Sequence, residues 1–292
     1  MGTPDFDSEA RAIIETVRTD TRSGAAQLAA SALQRVRQWL STGPVTSVAL
    51  DQLLTDLAEA RPSMVPLANA IERCRQGFGP WQADSPVAQQ ALPVVDSVLD
   101  QLACANRRVA DAAAALIPAG ATLFTHSRSS QVLALFRLLV QQGHDFSVIC
   151  TQSSPGNEGF TLARELDELG VPVTVITDAQ MALFVPKADL VLCGCDTWLA
   201  DGYFLNKSGS YPLALIAREQ GKPFWVLADS FKDSAARHHE IMLEEMTGEE
   251  LGAPAGQHIT VRNIYFEPVP VCLISGRVSE QGVFWCPAEP GR

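Results

Sequence analysis

Acidic, amide and ammonium side chains follow an apolar run in the middle of the chain. Asp196 ends the run that starts at Val191, and Asn206 and Lys207 come shortly after it, beyond a glycine-containing turn. Such a run predicts a buried strand, and open α/β sheets bind ligands at the carboxyl edge of their strands. These groups would suit a small anionic substrate there, although a strand-end aspartate also commonly caps its own turn.

Two segments near the amino terminus have the composition of anion sites at helix starts. Arg22, Ser23 and Gly24 directly precede a predicted helix, where free backbone N–H groups and a neighbouring arginine could hold a phosphate. Arg61 precedes another predicted helix and could be a second anion ligand. The alternatives are an ordinary capping turn for the first segment and a solvated arginine for the second.

Hydroxyl groups and another cation occur at further element ends. Ser129 and Ser130 lie between the first predicted strand and its helix, where they could hold a second phosphate or act as plain N-caps. A long loop from Thr151 to Gly159 follows the second predicted strand, and Lys232 follows a later one. Each of these residues is also compatible with an ordinary loop.

The elements that would position these residues fall into two parts. Helices are predicted at 13–18, at 25–40, which is rich in Ala, Leu and Gln, at 47–60, and from Pro62 onward, where proline suits a first turn. Apolar residues at mainly 3.6-type spacing predict a further long helix at 93–116. Beyond residue 120, strands at 121–125, 146–151, 171–176, 190–195, 224–228 and 270–275 alternate with helices at 131–141, 158–169, 179–184 and 212–220. We therefore predict an α/β fold, with an N-terminal helical domain (1–119) followed by a Rossmann-like parallel-sheet domain (120–292) with helices on both faces.

Composition narrows the class of protein. The chain has 292 residues, 47% of them hydrophobic, and a formal net charge of −11, which argues against binding to nucleic acid or an acidic membrane. The polar amino terminus does not resemble a secretion signal, and no apolar run is long enough to span a membrane. Seven scattered cysteines, an odd number, indicate reduced thiols and a cytoplasmic protein.

Neither a metal nor a cofactor is predicted. Cys193 and Cys195 are two residues apart on a predicted strand and would share one face, but a metal would need further ligands. The five histidines form no pair with metal-ligand spacing, and His238 and His239 fall in a polar loop. We therefore expect the two cysteines to be core residues.

Taken together in chain order, these segments resemble one superfamily. It unites ribose-1,5-bisphosphate isomerase, methylthioribose-1-phosphate isomerase and the alpha, beta and delta regulatory subunits of eukaryotic translation initiation factor 2B. The resemblance covers roughly residues 10–285 and rests on Arg22-Ser23-Gly24-Ala25, Arg61-Pro62-Ser63, Leu123-Phe124-Thr125-His126, Asp196 with Asn206-Lys207-Ser208-Gly209, Lys232, and the segment from Arg262-Asn263 to Gly282.

The resemblance implies a chemistry and a set of roles. The isomerases move a proton between C1 and C2 of an aldose-1-phosphate, with a cysteine as base and an aspartate as acid. By this resemblance Asp196 is the acid, and Ser127 occupies the position of the base. The groups implied to hold phosphate and sugar oxygens are Arg22, Ser23, Gly24, Arg61, Ser129, Ser130, Asn206, Lys207 and Lys232.

The chain departs from the isomerases at the proton-transfer positions. A serine hydroxyl at Ser127 is a far poorer base than a thiolate and needs an activating base of its own. His126 adjoins it, but neighbours on a strand point to opposite faces. Ser154 replaces a usual arginine, and Glu158 replaces a phosphate-binding glutamine, so that it would repel a phosphate or act as a displaced base. Cys150 is a further candidate base, with core packing as the alternative.

Three functions remain open from the sequence. The first is a sugar-phosphate isomerase, supported by Asp196, Asn206, Lys207 and the arginines. The second is a non-catalytic regulatory protein of the initiation-factor-2B type that binds a small phosphorylated sugar or nucleotide, supported by the missing cysteine. The third is a scaffold with a vestigial pocket. We also expect a homodimer, because the family and the apolar sheet domain favour isologous pairing.

Overall fold

The chain divides into two compact units in the computed structural model. One comprises Met1–Ala105 with Phe231–Asp233, and the other Asn106–Ser230 with Ser234–Arg292. The structure describes residues 8–20, 24–61 and 64–286.

The helical unit is built from amphipathic helices. They are α1 (Ser8–Thr19), α2 (Ala25–Leu40), α3 (Ser47–Ala60), α4 (Val65–Gly77) and α5 (Val87–Ala114), of which α5 continues into the second unit. On α2, Leu33, Val36 and Leu40 are buried at helical spacing, which explains why this segment forms a helix. The predicted start at Pro62 lies outside the described residues, and α4 begins at Val65.

Among the described residues, every strand except the short β8 lies entirely in the second unit, and β8 has one residue in each unit. In chain order its elements are β1 (Ala121–Thr125), α6 (Ser130–Gln141), β2 (Phe146–Thr151), α7 (Glu158–Glu168), β3 (Val173–Ile176), α8 (Met181–Phe184), β4 (Leu190–Cys193), β5 (Thr197–Leu199), β6 (Tyr203–Lys207), α9 (Ser210–Glu219), β7 (Phe224–Leu227), β8 (Asp233–Ser234), β9 (Phe266–Pro270), β10 (Gly276–Ser279) and β11 (Gly282–Trp285).

The main sheet has seven strands in the order β11-β10-β7-β4-β1-β2-β3. All neighbours are parallel except β10 and β11. Successive residues of β1 enter different cores, because Leu123 packs with α6 and α7 while Phe124 packs with α8 and α9. The predicted α/β fold, with a helical region followed by a parallel sheet covered on both faces, is confirmed.

A smaller sheet was missed by the sequence interpretation. Its strands are ordered β8-β5-β6-β9, and β6 runs antiparallel to both β5 and β9. These strands are two to five residues long, and two prolines interrupt the β9 segment, so no alternating pattern marks them.

Two local predictions in this unit are wrong. The strand predicted at 270–275 is absent: β9 ends at Pro270, a 3₁₀ turn covers Val271–Leu273, and β10 begins at Gly276. The strand predicted to reach Cys195 stops at Cys193, so the two cysteines do not share a strand face. Both are nevertheless buried among apolar residues, as core packing requires. Among the helices of the described residues, none is long and apolar enough to cross a bilayer.

Candidate functional site

The buried His126 side chain joins three loops at the carboxyl edge of the main sheet. Its Nδ1 lies 2.7 Å from Thr151 Oγ1 at the end of β2, and its Nε2 lies 2.9 Å from the Ser208 carbonyl oxygen beyond β6. A carbonyl can only accept, so Nε2 carries the proton and Nδ1 accepts from the threonine hydroxyl. Both ring nitrogens are therefore occupied by the protein itself.

His126 is neutral in this arrangement. Burial lowers its pKa below the ordinary range, against the raising effects of the Ser208 carbonyl and of the Asp178 and Glu267 carboxylates, while the Lys207 charge lowers it further. The space beside Nε2 depends on Gly209, which has φ +110°, because an added Cβ would lie 2.7 Å from that nitrogen.

The hydrogen bonds continue from His126 to Ser127. Thr151 Oγ1 lies 3.0 Å from Ser153 Oγ, and Ser153 Oγ accepts from the Ser127 backbone N–H at 2.7 Å. Ser127 and Ser153 both adopt left-handed backbone conformations, with φ of 64° and 61°. Such conformations in non-glycine residues are uncommon and cluster at functional sites.

The Ser127 hydroxyl takes no part in this series of hydrogen bonds. Ser127 is half-buried, and within the described residues its side chain makes no hydrogen bond. His126 cannot serve as its base, because Nδ1 accepts from Thr151 and Nε2 donates to Ser208. The sequence could not decide this point, since the ring's partners lie 25 and 82 residues away.

Asp178 holds the loop after β2 from the side of β3. Its two carboxylate oxygens accept from the backbone N–H groups of Ser153 at 2.9 Å and Ser154 at 2.7 Å. Oδ1 lies 3.9 Å from His126 Nδ1. Sequence reasoning missed this residue. Its one local signal is its place in a capping box that opens at Thr177, which is equally typical of an ordinary turn.

Lys207 at the end of β6 is buried and paired with Glu158. Its Nζ lies 2.8 Å from Glu158 Oε1 and 3.6 Å from the centre of the Tyr265 ring, and its side chain is 4% exposed. The Tyr265 hydroxyl donates to Glu250 Oε2 at 2.5 Å. Burial, this hydrogen bond, and the charges of Glu250 and Glu158 raise the pKa of Tyr265 well above its usual range.

Asp196 and Asn206 occupy different environments. Asp196 is exposed beyond the end of β4, and its backbone N–H donates to the Leu205 carbonyl. Asn206 is buried, and its amide donates to Ser210 Oγ at 2.8 Å, which in turn donates to the Lys207 carbonyl. The Asn206 side chain therefore stabilises the turn between β6 and α9.

The predicted serines of α6 stand at its first turn. Ser129 is the N-cap, with its hydroxyl 3.5 Å from the Val132 nitrogen, and Ser130 is exposed. Gly194 makes room for Ser129, because a Cβ on Gly194 would come within 2.4 Å of the Ser129 hydroxyl. Capping accounts for the orientation of Ser129, and a role in phosphate binding stays a prediction for both residues.

The remaining predicted site residues belong to the helical unit. Gly24 is the N-cap of α2, and Arg61, which follows α3, donates to the Asp20 carbonyl. Lys232 is buried in the short segment that joins this unit. Arg22 and Ser23 lie outside the described residues. The implied phosphate roles of all five stay predictions.

Cys150 does not have the character of a base. It is fully buried, and burial raises the pKa of its thiol to about 11, so the thiol stays protonated at neutral pH. Its Sγ points to the Gly159 carbonyl at 3.9 Å. Core packing, one of the two readings of this residue, is the one that its surroundings favour.

One group of metal-type donors occurs in the described part of the chain, where the turn between β5 and β6 meets the 3₁₀ turn at His238–Glu240. Asp201, His238 and His239 place one donor atom each within 4.8 Å of one another. Asp201 Oδ2 accepts from both the backbone N–H and the Nδ1 of His238, and the His238 ring stacks on Tyr203. These contacts explain the cluster as a turn-stabilising Asp–His pair.

Comparison with known proteins agrees with this architecture. The model of the Initiation factor 2 subunit family matches residues 16–286, and the chain belongs to that family. A crystal structure of the translation initiation factor eIF-2B of Pyrococcus horikoshii OT3 superposes with a TM-score of 0.80 and 28% identity, covering 98% of this chain and all of the other.

The proteins that are similar to this chain in sequence bear two kinds of names. A Pyrococcus abyssi protein named as eIF-2B subunit 2-like is 35% identical over 82% of this chain and 83% of its own length. A ribose 1,5-bisphosphate isomerase of Methanocaldococcus jannaschii is 29% identical over 78% and 74%. A methylthioribose-1-phosphate isomerase of Anaeromyxobacter dehalogenans is 32% identical over 80% and 73%. The family thus contains both isomerases and initiation-factor-like proteins.

Proposed function

We propose that this protein binds a small phosphorylated sugar at the carboxyl edge of its main sheet without the proton transfer that residue 127 would perform in an isomerase. The observation that carries the proposal is the set of linked loops after β1, β2 and β6. They hold Ser127 and Ser153 in strained backbone conformations at the edge where α/β proteins bind ligands.

The lack of an activating base argues for binding rather than turnover through Ser127. A serine hydroxyl acts as a base or nucleophile only when an adjacent group takes its proton. The neighbouring histidine is buried, neutral and hydrogen-bonded at both nitrogens, and the nearby Cys150 thiol stays protonated. This supports a ligand-binding role over proton transfer through Ser127.

A second candidate is a sugar-phosphate isomerase that uses another base. The exposed Asp196 supports it, because the sequence resemblance to the isomerases implies that this residue is the acid, and relatives of this chain bear isomerase names. Glu158 is the carboxylate that remains as a base in this case, although it is engaged by Lys207.

Thermal denaturation in the presence of ligands tests the first proposal. The panel contains ribose-1,5-bisphosphate, methylthioribose-1-phosphate, ribose-5-phosphate, AMP and inorganic phosphate. A ligand at about 100 times its Kd adds about 2.7 kcal/mol to the free energy of unfolding, which raises the midpoint measurably. No shift with any sugar phosphate or nucleotide would contradict the proposal.

Asp196→Asn separates the two candidates. With an isomerase, product formation from the stabilising sugar phosphate is detectable in the native protein and collapses in the variant, while binding persists. With a binding protein, neither form yields product. Turnover by the native protein would therefore overturn the proposal of binding without proton transfer.

A further inference from the structure

We infer that Glu158 closes the Lys207 end of the sheet edge to phosphate, so that the site selects a ligand with one phosphate over a bisphosphate. The inference rests on the proposed function and names its ligand class more closely. It starts from the Glu158–Lys207 ion pair, in which a buried ammonium is already neutralised by the protein.

Lys207 leaves almost no surface for an anion. Its Nζ contacts Glu158 Oε1 at 2.8 Å on one side and the face of Tyr265 at 3.6 Å on another, and 4% of its side chain is exposed. Burying an ammonium is costly unless it is paired, and here the pairing is internal. A phosphate could reach Nζ only by displacing the carboxylate.

The loop after β2 is shaped around that carboxylate. An added Cβ on Gly156 would lie 2.5 Å from Glu158 Oε1 and 2.9 Å from its Cδ, so the missing side chain at Gly156 is what lets the carboxylate lie there. Glu158 Oε2 is buried and accepts no hydrogen bond from the described residues. The ion pair with Lys207 therefore holds the carboxylate in place.

The surrounding charge acts in the same direction. Besides Glu158, the Glu250 carboxylate lies behind Tyr265, to which it is hydrogen-bonded. Glu158 and Glu250 thus both act on the Tyr265 side chain that contacts Lys207. Like charges brought together at a binding site weaken binding strongly.

Glu158→Gln tests the inference with Glu165→Gln as its matched control. Both residues lie on α7, and both substitutions remove one negative charge, but Glu165 pairs with Arg128 instead of Lys207. Kd values for ribose-5-phosphate and ribose-1,5-bisphosphate, measured by calorimetry, give a selectivity ratio for each protein. We expect Glu158→Gln to shift the ratio toward the bisphosphate by at least about tenfold, a free-energy change of about 1.4 kcal/mol, and Glu165→Gln to leave it unchanged.

A second variant and a second probe are added to the test. Gly156→Ala, which crowds the Glu158 carboxylate, should shift the ratio in the same direction. Inorganic phosphate serves as a probe that needs no sugar, and Glu158→Gln should gain thermal stabilisation by phosphate over the native protein. A Glu158→Gln protein that gains neither the bisphosphate preference nor stabilisation by phosphate overturns the inference. A native protein that responds to no sugar phosphate or nucleotide refutes the proposed function instead, and the inorganic phosphate arm still decides the role of Glu158.

Discussion

Stability should fall at mildly acidic pH because His126 is buried in its neutral form. Burial lowers the pKa of His126 in the folded chain, whereas in the unfolded chain it titrates near the ordinary value of about 6.5. Below that pH the unfolded state binds a proton that the folded state does not. The stabilisation is therefore complete above the unfolded pKa and is lost as the pH falls toward the folded pKa.

The size of the effect follows from linkage. Between about pH 8 and about pH 5.5 this one group removes up to about 1.4 kcal/mol from the free energy of unfolding, since the unfolded histidine is mostly protonated at the lower pH. Protonation would force a charge against the Lys207 ammonium and break the bond in which Nδ1 accepts from Thr151.

Urea denaturation followed by tryptophan fluorescence across this pH range measures the effect. The unit that contains His126 also carries Trp198, Trp225 and Trp285, which report on its unfolding. His126→Gln should lose this part of the pH dependence, because glutamine does not titrate. His144→Gln, which removes an exposed histidine, should keep it. Parallel pH curves for the native protein and His126→Gln would refute the assignment of a buried neutral histidine.

Three other measurements probe the same structure. Gly209→Ala should lower the free energy of unfolding by about 3 kcal/mol, because of backbone strain and a clash with His126. Gly202→Ala is the control: Gly202 has φ +82° but no close contact, so its substitution should lower the free energy of unfolding by about 1 kcal/mol. Equal decreases for the two variants in urea denaturation would contradict the clash. Titration of the native protein with an aromatic disulfide should modify the exposed Cys104 rapidly, and Cys104→Ser should remove that fast phase. Cys193 should stay unreactive, because burial raises the pKa of its thiol to about 12. Fast labelling of Cys193 would argue against the described core. Light scattering should give the mass of two chains, and a mass of one chain would exclude the expected homodimer.

The sequence alone determined most of the fold. The helices predicted at Ala25–Leu40 and Ser47–Ala60 and the strands predicted at Ala121–Thr125 and Phe146–Thr151 have these bounds in the structure, as α2, α3, β1 and β2. The two helices bury one apolar stripe and the two strands bury both faces, so their apolar residues form patterns that are easy to recognise in the sequence. The strands of the smaller sheet have no such pattern, because pairing with distant segments, and not local propensity, holds them in place.

The candidate site was predictable as a region but not as a mechanism. The ends of predicted strands indicated Ser127 and Asp196, because the carboxyl edge of a parallel sheet brings such ends together. Lys207 was indicated only by its place shortly after Asp196. Tertiary structure alone decided that His126 is neutral with both nitrogens occupied, and that Lys207 is paired with Glu158, 49 residues away. The physical reason is that hydrogen bonds and charges act over a few ångströms in space, and nothing in the local sequence encodes which distant partner arrives there.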